Sequence, residues 1–102
     1  MTRGEVRIAH VGHKHRPVLV LTRTDVIDVR ALVTVAEITT SIRGIGAEVL
    51  LDPGTIGVER RSAINCDGIH TVTQKTLKHR VGQLNDTTMQ LVCSALNCAL
   101  GC

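Results

Sequence analysis

Apolar and polar positions alternate along Glu5–Val11, with Val6, Ile8 and His10 on one side and Arg7 and Ala9 on the other. A period of two predicts a strand. Residues 18–22 are a second strand, entered through Pro17, which is tolerated at a first strand position. Residues 24–30 are polar and interrupted, predicting a loop with room for a short helical turn. Leu32–Thr39 is rich in β-branched residues and carries the strongest strand signal. Residues 47–51 form another strand, stopped by the turn signal Asp52-Pro53-Gly54. Residues 62–66 and 69–72 read as two strands flanking Asp67-Gly68, a dipeptide suited to a tight turn or a bulge. A short basic helix is expected over 73–79, and a last short strand over 81–84.

The period then changes. Met89, Val92, Leu96 and Ala99, joined by Cys93 and Leu100, recur at three- and four-residue steps and predict one amphipathic helix. Asn85 or Asp86 is placed to cap it, and Gly101 stands where helix C-termini favour glycine. Many short strands followed by one helix imply a mainly β fold: a small barrel or strongly curved sheet, closed by the C-terminal helix. At 102 residues the chain is read as a single domain, 1–102, with little stability to spare. Burial of apolar surface in a second copy is therefore expected.

Composition changes this picture in one respect: there is no Phe, Trp or Tyr. The core must come from Val, Ile, Leu, Ala and Met. Single-stranded RNA modules commonly stack bases on aromatic rings. Nucleic-acid contact here must rest on charge, hydrogen bonds, arginine planes and shape. The net charge of +3 permits a polyanionic partner without demanding one. Basic residues concentrate at His13-Lys14-His15-Arg16, at Arg60-Arg61 and between Lys75 and Arg80. The longest aliphatic run is residues 18–21, far short of the ~20 that span a bilayer, and no N-terminal signal is visible. The expectation is a cytoplasmic protein without membrane contact. Cys66, Cys93, Cys98 and Cys102 lack the C-x-x-C or His spacing of a zinc site. They read as small buried hydrophobes and a loose terminal thiol, and no metal or other cofactor is expected.

Five segments carry a resemblance. They are Arg3-Gly4-Glu5-Val6; His15-Arg16-Pro17-Val18-Leu19-Val20-Leu21; Val35-Ala36-Glu37-Ile38-Thr39-Thr40-Ser41-Ile42; Ser62-Ala63-Ile64-Asn65-Cys66-Asp67 with Ile69-His70-Thr71-Val72; and Arg80-Val81-Gly82-Gln83-Leu84 before the capped helix. In order and spacing they resemble the MazF/PemK endoribonucleases, toxin halves of bacterial toxin–antitoxin pairs. The resemblance implies an SH3-like small barrel of the PemK/CcdB type and a homodimer. It implies sequence-specific, metal-independent cleavage of single-stranded RNA, with 2′-OH attack giving a 2′,3′-cyclic phosphate and a 5′-OH. It also implies neutralisation by a cognate MazE-like antitoxin, whose acidic segment would cover the basic groove.

The same resemblance assigns residues. Arg16 matches the family's catalytic arginine before proline, and its charged planar fork suits a phosphate in its transition state. Thr39 matches the catalytic threonine. His13, Lys14, His15, Glu37, Thr40 and Ser41 are expected to contact RNA. Without the match, Arg16 would read as an exposed charge at a strand start and Thr39 as an ordinary strand residue.

Three positions depart from the family pattern. His70 stands where many members have Arg; as an imidazole it suits general acid or base work, or is a surface histidine without a role. Glu37 replaces the usual Pro; by strand alternation it shares a face with Val33, Val35 and Thr39, where it either assists as a base or pairs with an arginine. The loop Gly12-His13-Lys14-His15 is short and basic, suited to phosphates rather than bases, or simply solvated. Two alternatives stand beside RNA cleavage. One is a non-catalytic binder of RNA or antitoxin on the same fold. The other is a CcdB-like gyrase poison, which the absence of a C-terminal Trp disfavours.

Overall fold

The structure, a computed structural model, describes residues 1–11, 13–54, 56 and 58–102, with residue 11 described by its backbone alone. Gly12, the first residue of the expected hairpin loop, lies outside them. Among the described residues the elements run β1 (Glu5–Val11), β2 (Lys14–Val20), α1 (Thr24–Ile27), β3 (Leu32–Thr39), β4 (Glu48–Leu51), β5 (Ser62–Thr73), β6 (Leu77–Gln83) and α2 (Asp86–Leu100). The strands form one antiparallel sheet in the order β4-β5-β3-β2-β1-β6.

Burial explains why that sheet curls. Val49 and Leu51 on one edge strand share a buried cluster with Val6 on β1 and Leu84 just beyond the other edge. Opposite edges can line one core only if the sheet folds toward itself. The result is the expected mainly β architecture, a half-barrel with α2 set into it. Met89, Val92 and Ala95 of α2 enter that core beside Leu19, Ile38 and Ile64. The other sheet face has its own smaller core, built from Ala9, Val18, Val20, Val33, Val35 and Leu77 and covered at one end by Ile27 of α1.

The helix follows its local signals. The Asn85 side chain accepts the Thr88 backbone N–H at 2.8 Å, and Gly101 adopts φ 75° at the C-terminus. Its buried arc is rotated from the expected one. Ala95 is buried against β4 and β5, whereas Cys93 and Leu100 are exposed. The Arg3 guanidinium instead donates to Cys93 Sγ at 3.3 Å. The strands on one side of the helix set that rotation, and the helical period carries no trace of them.

Three strand boundaries differ from expectation for one reason: pairing recruits residues that lack a strand pattern of their own. β2 begins at Lys14 because its register with β1 runs out to Val11 opposite Lys14. Pro17 is tolerated inside β2 because β3 joins β2 only from Val18 onward. The two strands expected around Asp67-Gly68 are one strand, β5, with a bulge. Consecutive Ala36 and Glu37 pair with Ile69 and Asn65, four positions apart. The basic helix expected over 73–79 is only a 3₁₀ turn at Gln74–Thr76. The Gln74 amide donates to the carbonyls of Ile27 and Arg30, each at 2.7 Å, and the chain rejoins the sheet at Leu77 opposite Ala9.

One carboxylate anchors the loop between β3 and β4. Glu48 Oε1 accepts the backbone N–H groups of Gly44 at 2.8 Å, Arg43 at 3.1 Å and Ile45 at 3.4 Å, while Oε2 accepts from Arg43 at 3.2 Å. Burial raises its pKa, but these backbone bonds and the Arg43 charge outweigh burial and hold it below the ordinary 4.5. A carboxyl whose folded pKa is depressed stabilises the fold above the ordinary value and loses that contribution as pH falls through the folded one. Glu48→Gln is therefore expected to lower the melting temperature at pH 7. The gap to the native protein should close as pH falls below 4.5. A gap independent of pH in thermal melts would show that Glu48 acts only by its shape.

Candidate active site

Strand alternation places the site. On β2, Lys14, Arg16 and Val18 point to the face that carries the smaller core. Val18 lies across from Glu37 of β3, and Val35, two positions before Glu37, lies across from His70 of β5. Lys14, Arg16, Glu37 and His70 therefore face the same way from three neighbouring strands. They rim an open groove of about 490 Å³ with Thr71. Ala9, Pro17, Val18, Val35 and Val72 give it an apolar floor.

Within the groove, His70 Nε2 and Glu37 Oε1 are 2.9 Å apart. A carboxylate can only accept, so Nε2 carries the hydrogen and Nδ1 is the basic nitrogen of the neutral ring. The pair arises from the bulge in β5. Cys66, Asp67 and Gly68 are passed over in the pairing of β5 with β3, which brings Gly68 beneath the Glu37 carboxylate. A Cβ on residue 68 would lie 2.6 Å from Glu37 Oε2 and 2.9 Å from Asn65 Nδ2. Both are ends of side chains, so relief comes from swinging Glu37 away rather than from unfolding. Gly68→Ala is accordingly expected to leave melting nearly unchanged. The activity of the groove should fall between those of the native protein and Glu37→Gln. A rate equal to the native one would mean that the Glu37 position is immaterial.

Beside Glu37 lies a residue with no sequence signal. Arg43 Nη2 reaches Asn65 Oδ1 at 3.2 Å and Asp67 Oδ2 at 3.4 Å, clamping the bulge to the loop before β4. Asp67-Gly68 did signal a turn or bulge, but nothing local linked it to Arg43.

The other expected site residues are not in the groove lining. Thr39 follows Glu37 by two positions on the same strand, opposite Ala63, and is half-buried. Its Oγ1 accepts the Ser41 N–H at 3.1 Å, which leaves its own O–H free to donate. Thr40 and Ser41 are exposed just past the strand end, and His13 is exposed at the hairpin tip. His15, between Lys14 and Arg16, points to the opposite face and stacks on His10, with ring centroids 3.8 Å apart. Cys66 takes no part: burial, with the charges of Asp67 and Cys93, pushes its thiol up to about 11, so it stays protonated.

The match to known proteins covers the chain. Residues 2–100 match the family described as PemK-like, MazF-like toxin of type II toxin-antitoxin system. This chain belongs to the PemK/MazF toxin family. It is 42% identical over 103 aligned residues to a probable endoribonuclease MazF5 of Mycobacterium tuberculosis, covering 98% of this chain and 93% of that one. Its structure is similar to the Mycobacterium tuberculosis toxin MazF-mt6, with a TM-score of 0.88, 34% identity and coverage of 95% and 96%. It is also similar to a mycobacterial endoribonuclease solved in complex with its cognate antitoxin, with a TM-score of 0.88, 27% identity and coverage of 99% and 95%. The PemK/MazF fold expected from the five segments is thus the fold observed. Among the described residues no helix is long and apolar enough to cross a membrane.

Proposed function

We propose that this protein is the endoribonuclease toxin of a type II toxin–antitoxin pair, a single 1–102 domain that cleaves single-stranded RNA at a specific sequence without a metal ion. The observation that carries this reading is the groove in which Arg16 shares a face with the hydrogen-bonded Glu37–His70 pair. Membership of the PemK/MazF family, with relatives named endoribonucleases, favours RNA cleavage over the gyrase-directed alternative.

The chemistry follows from the groups present. His70 Nδ1 takes the proton of a ribose 2′-OH while Glu37 holds the ring and offsets the imidazolium charge. The 2′-oxygen bonds to phosphorus as the bond to the 5′-oxygen breaks. That oxygen takes a proton from water, leaving a 2′,3′-cyclic phosphate and a 5′-OH. Arg16 meets the charge growing on the phosphoryl oxygens, and Thr39 donates its free hydroxyl there. Lys14 and His13 hold the neighbouring phosphates. Thr40 and Ser41, exposed past the end of β3, offer hydroxyls to the RNA. The protein works in the cytoplasm as a homodimer, and an acidic segment of a MazE-like antitoxin silences it by covering the basic groove.

The test is incubation of the purified protein with mixed-sequence RNA in EDTA, beside an Arg16→Ala control, with the ends mapped. Cleavage at a short recurring sequence with cyclic-phosphate ends, lost in the control, is the expected result. A well-folded protein that binds RNA but leaves it intact would overturn the reading in favour of a non-catalytic binder.

A further inference from the structure

With no Phe, Trp or Tyr, the five imidazoles are the only aromatic side chains in this protein. Three of them gather on the sheet face away from the groove. His10 of β1 and His15 of β2 are cross-strand partners whose rings stack at 3.8 Å and 19°. His79 of β6 meets His10 edge-on, at 6.4 Å and 86°. Hydrogen bonding does not explain the arrangement. His10 Nε2 is shut off from solvent and has no hydrogen-bond partner among the described residues, a cost that ring packing must offset. Desolvation, reinforced by His15, Lys78 and His79, holds the His10 pKa below its ordinary value, which favours the neutral, stackable ring. His10 thus serves as a flat backing. The exposed His15 ring has one face on His10, which leaves the other for a ligand. Lys78, whose charge acts on His10, is exposed and can meet a phosphate.

We propose that His15, braced by His10, is a stacking platform for a nucleobase near the cleaved phosphate of single-stranded RNA. The inference rests on the RNA-cleaving reading above. Arg16 is the next residue along β2 and points into the groove, so a strand with its phosphate at Arg16 needs only to round the hairpin to lay a neighbouring base on His15. Imidazoles stack on bases as other aromatic rings do. The expectation that the hairpin touches only phosphates is thereby extended: His15 supplies the aromatic surface that composition seemed to deny.

The experiment uses the full chain and a short fluorescein-labelled RNA spanning the mapped cleavage site, with 2′-deoxyribose at the cleaved nucleotide to block reaction. Binding is read by anisotropy, and melting temperatures confirm that each variant is folded. His15→Ala is expected to weaken binding ~10-fold, in line with the loss of one stacked base. His15→Phe, which keeps a ring without charge, should bind at least as tightly as the native protein. His15→Lys, which keeps charge without a ring, should resemble His15→Ala. Abasic substitutions walked along the RNA should reveal one position where native binding falls to the His15→Ala level and His15→Ala loses nothing more. Native affinity in His15→Lys, weak binding by His15→Phe, or no such coupled position would each overturn the proposal. If the native protein cleaves RNA and His15→Ala binds as well as it does, only the platform fails; if the native protein cleaves no RNA, both readings fall.

Discussion

Arg16→Ala is expected to lower kcat/KM for RNA cleavage by ~10²–10³-fold, the usual consequence of removing a transition-state donor to a developing oxyanion. The melting temperature should not change. Arg16 is exposed at the part of β2 that pairs with β1 on one side and lies before the Val18 position where β3 joins, so its side chain bears on no core. The loss should fall mainly on kcat, because the charge it answers grows as the 2′-oxygen approaches phosphorus. Arg16→Lys tests geometry against charge. A lysine restores a point charge but not the planar fork, so it should recover only part of the rate. Single-turnover cleavage of a defined RNA, beside thermal melts, checks all of this. A variant with native kcat and a raised KM would place Arg16 among groups that merely hold RNA.

The second large effect is expected at the Glu37–His70 pair. His70→Ala should slow cleavage by ~10²-fold or more, the range of a lost general acid–base catalyst. Glu37→Gln should cost less. Its amide still reaches Nε2, but it can no longer offset an imidazolium, and if its NH₂ faces the ring it forces the other tautomer. The double variant should be about as slow as His70→Ala alone, since Glu37 acts through His70. Additive losses would show that Glu37 has its own contact with RNA. Both side chains are partly exposed, and their 2.9 Å bond lies at the groove rim. Neither variant should lower the melting temperature much, because an exposed pair adds little to stability.

These sites differ in how much of them the sequence shows. Arg16 is marked by the proline that follows it and by the aliphatic run beyond. The shared face of Val35, Glu37 and Thr39 follows from alternation within one strand. That His70 is the partner of Glu37 is another matter. It depends on β5 pairing with β3 and on the bulge at 66–68 that re-aims the strand. Arg43 is clearer still as a case: no motif contains it, and its role comes from ion pairs and hydrogen bonds closed over 22 to 24 positions. In the sequence His15 is one member of a basic loop, and only pairing with His10 turns it into half of a ring stack.

What the sequence by itself determined is what short-range physics encodes. The bounds of β1 and β3 come from alternation and β-branching, and α2 comes from its period, a cap at Asn85 or Asp86 and its Gly101 stop. The five segments also carried the family, because their order and spacing survive without coordinates. Tertiary structure alone decided where β2 and β6 begin, that β5 is one bulged strand, which arc of α2 is buried, and which polar groups meet. Those outcomes depend on register. A strand's partner lies tens of residues away, and a shift of one position would send every side chain to the other face. The free energy that selects the register is shared across the whole sheet and both cores, so no local stretch of this chain records it.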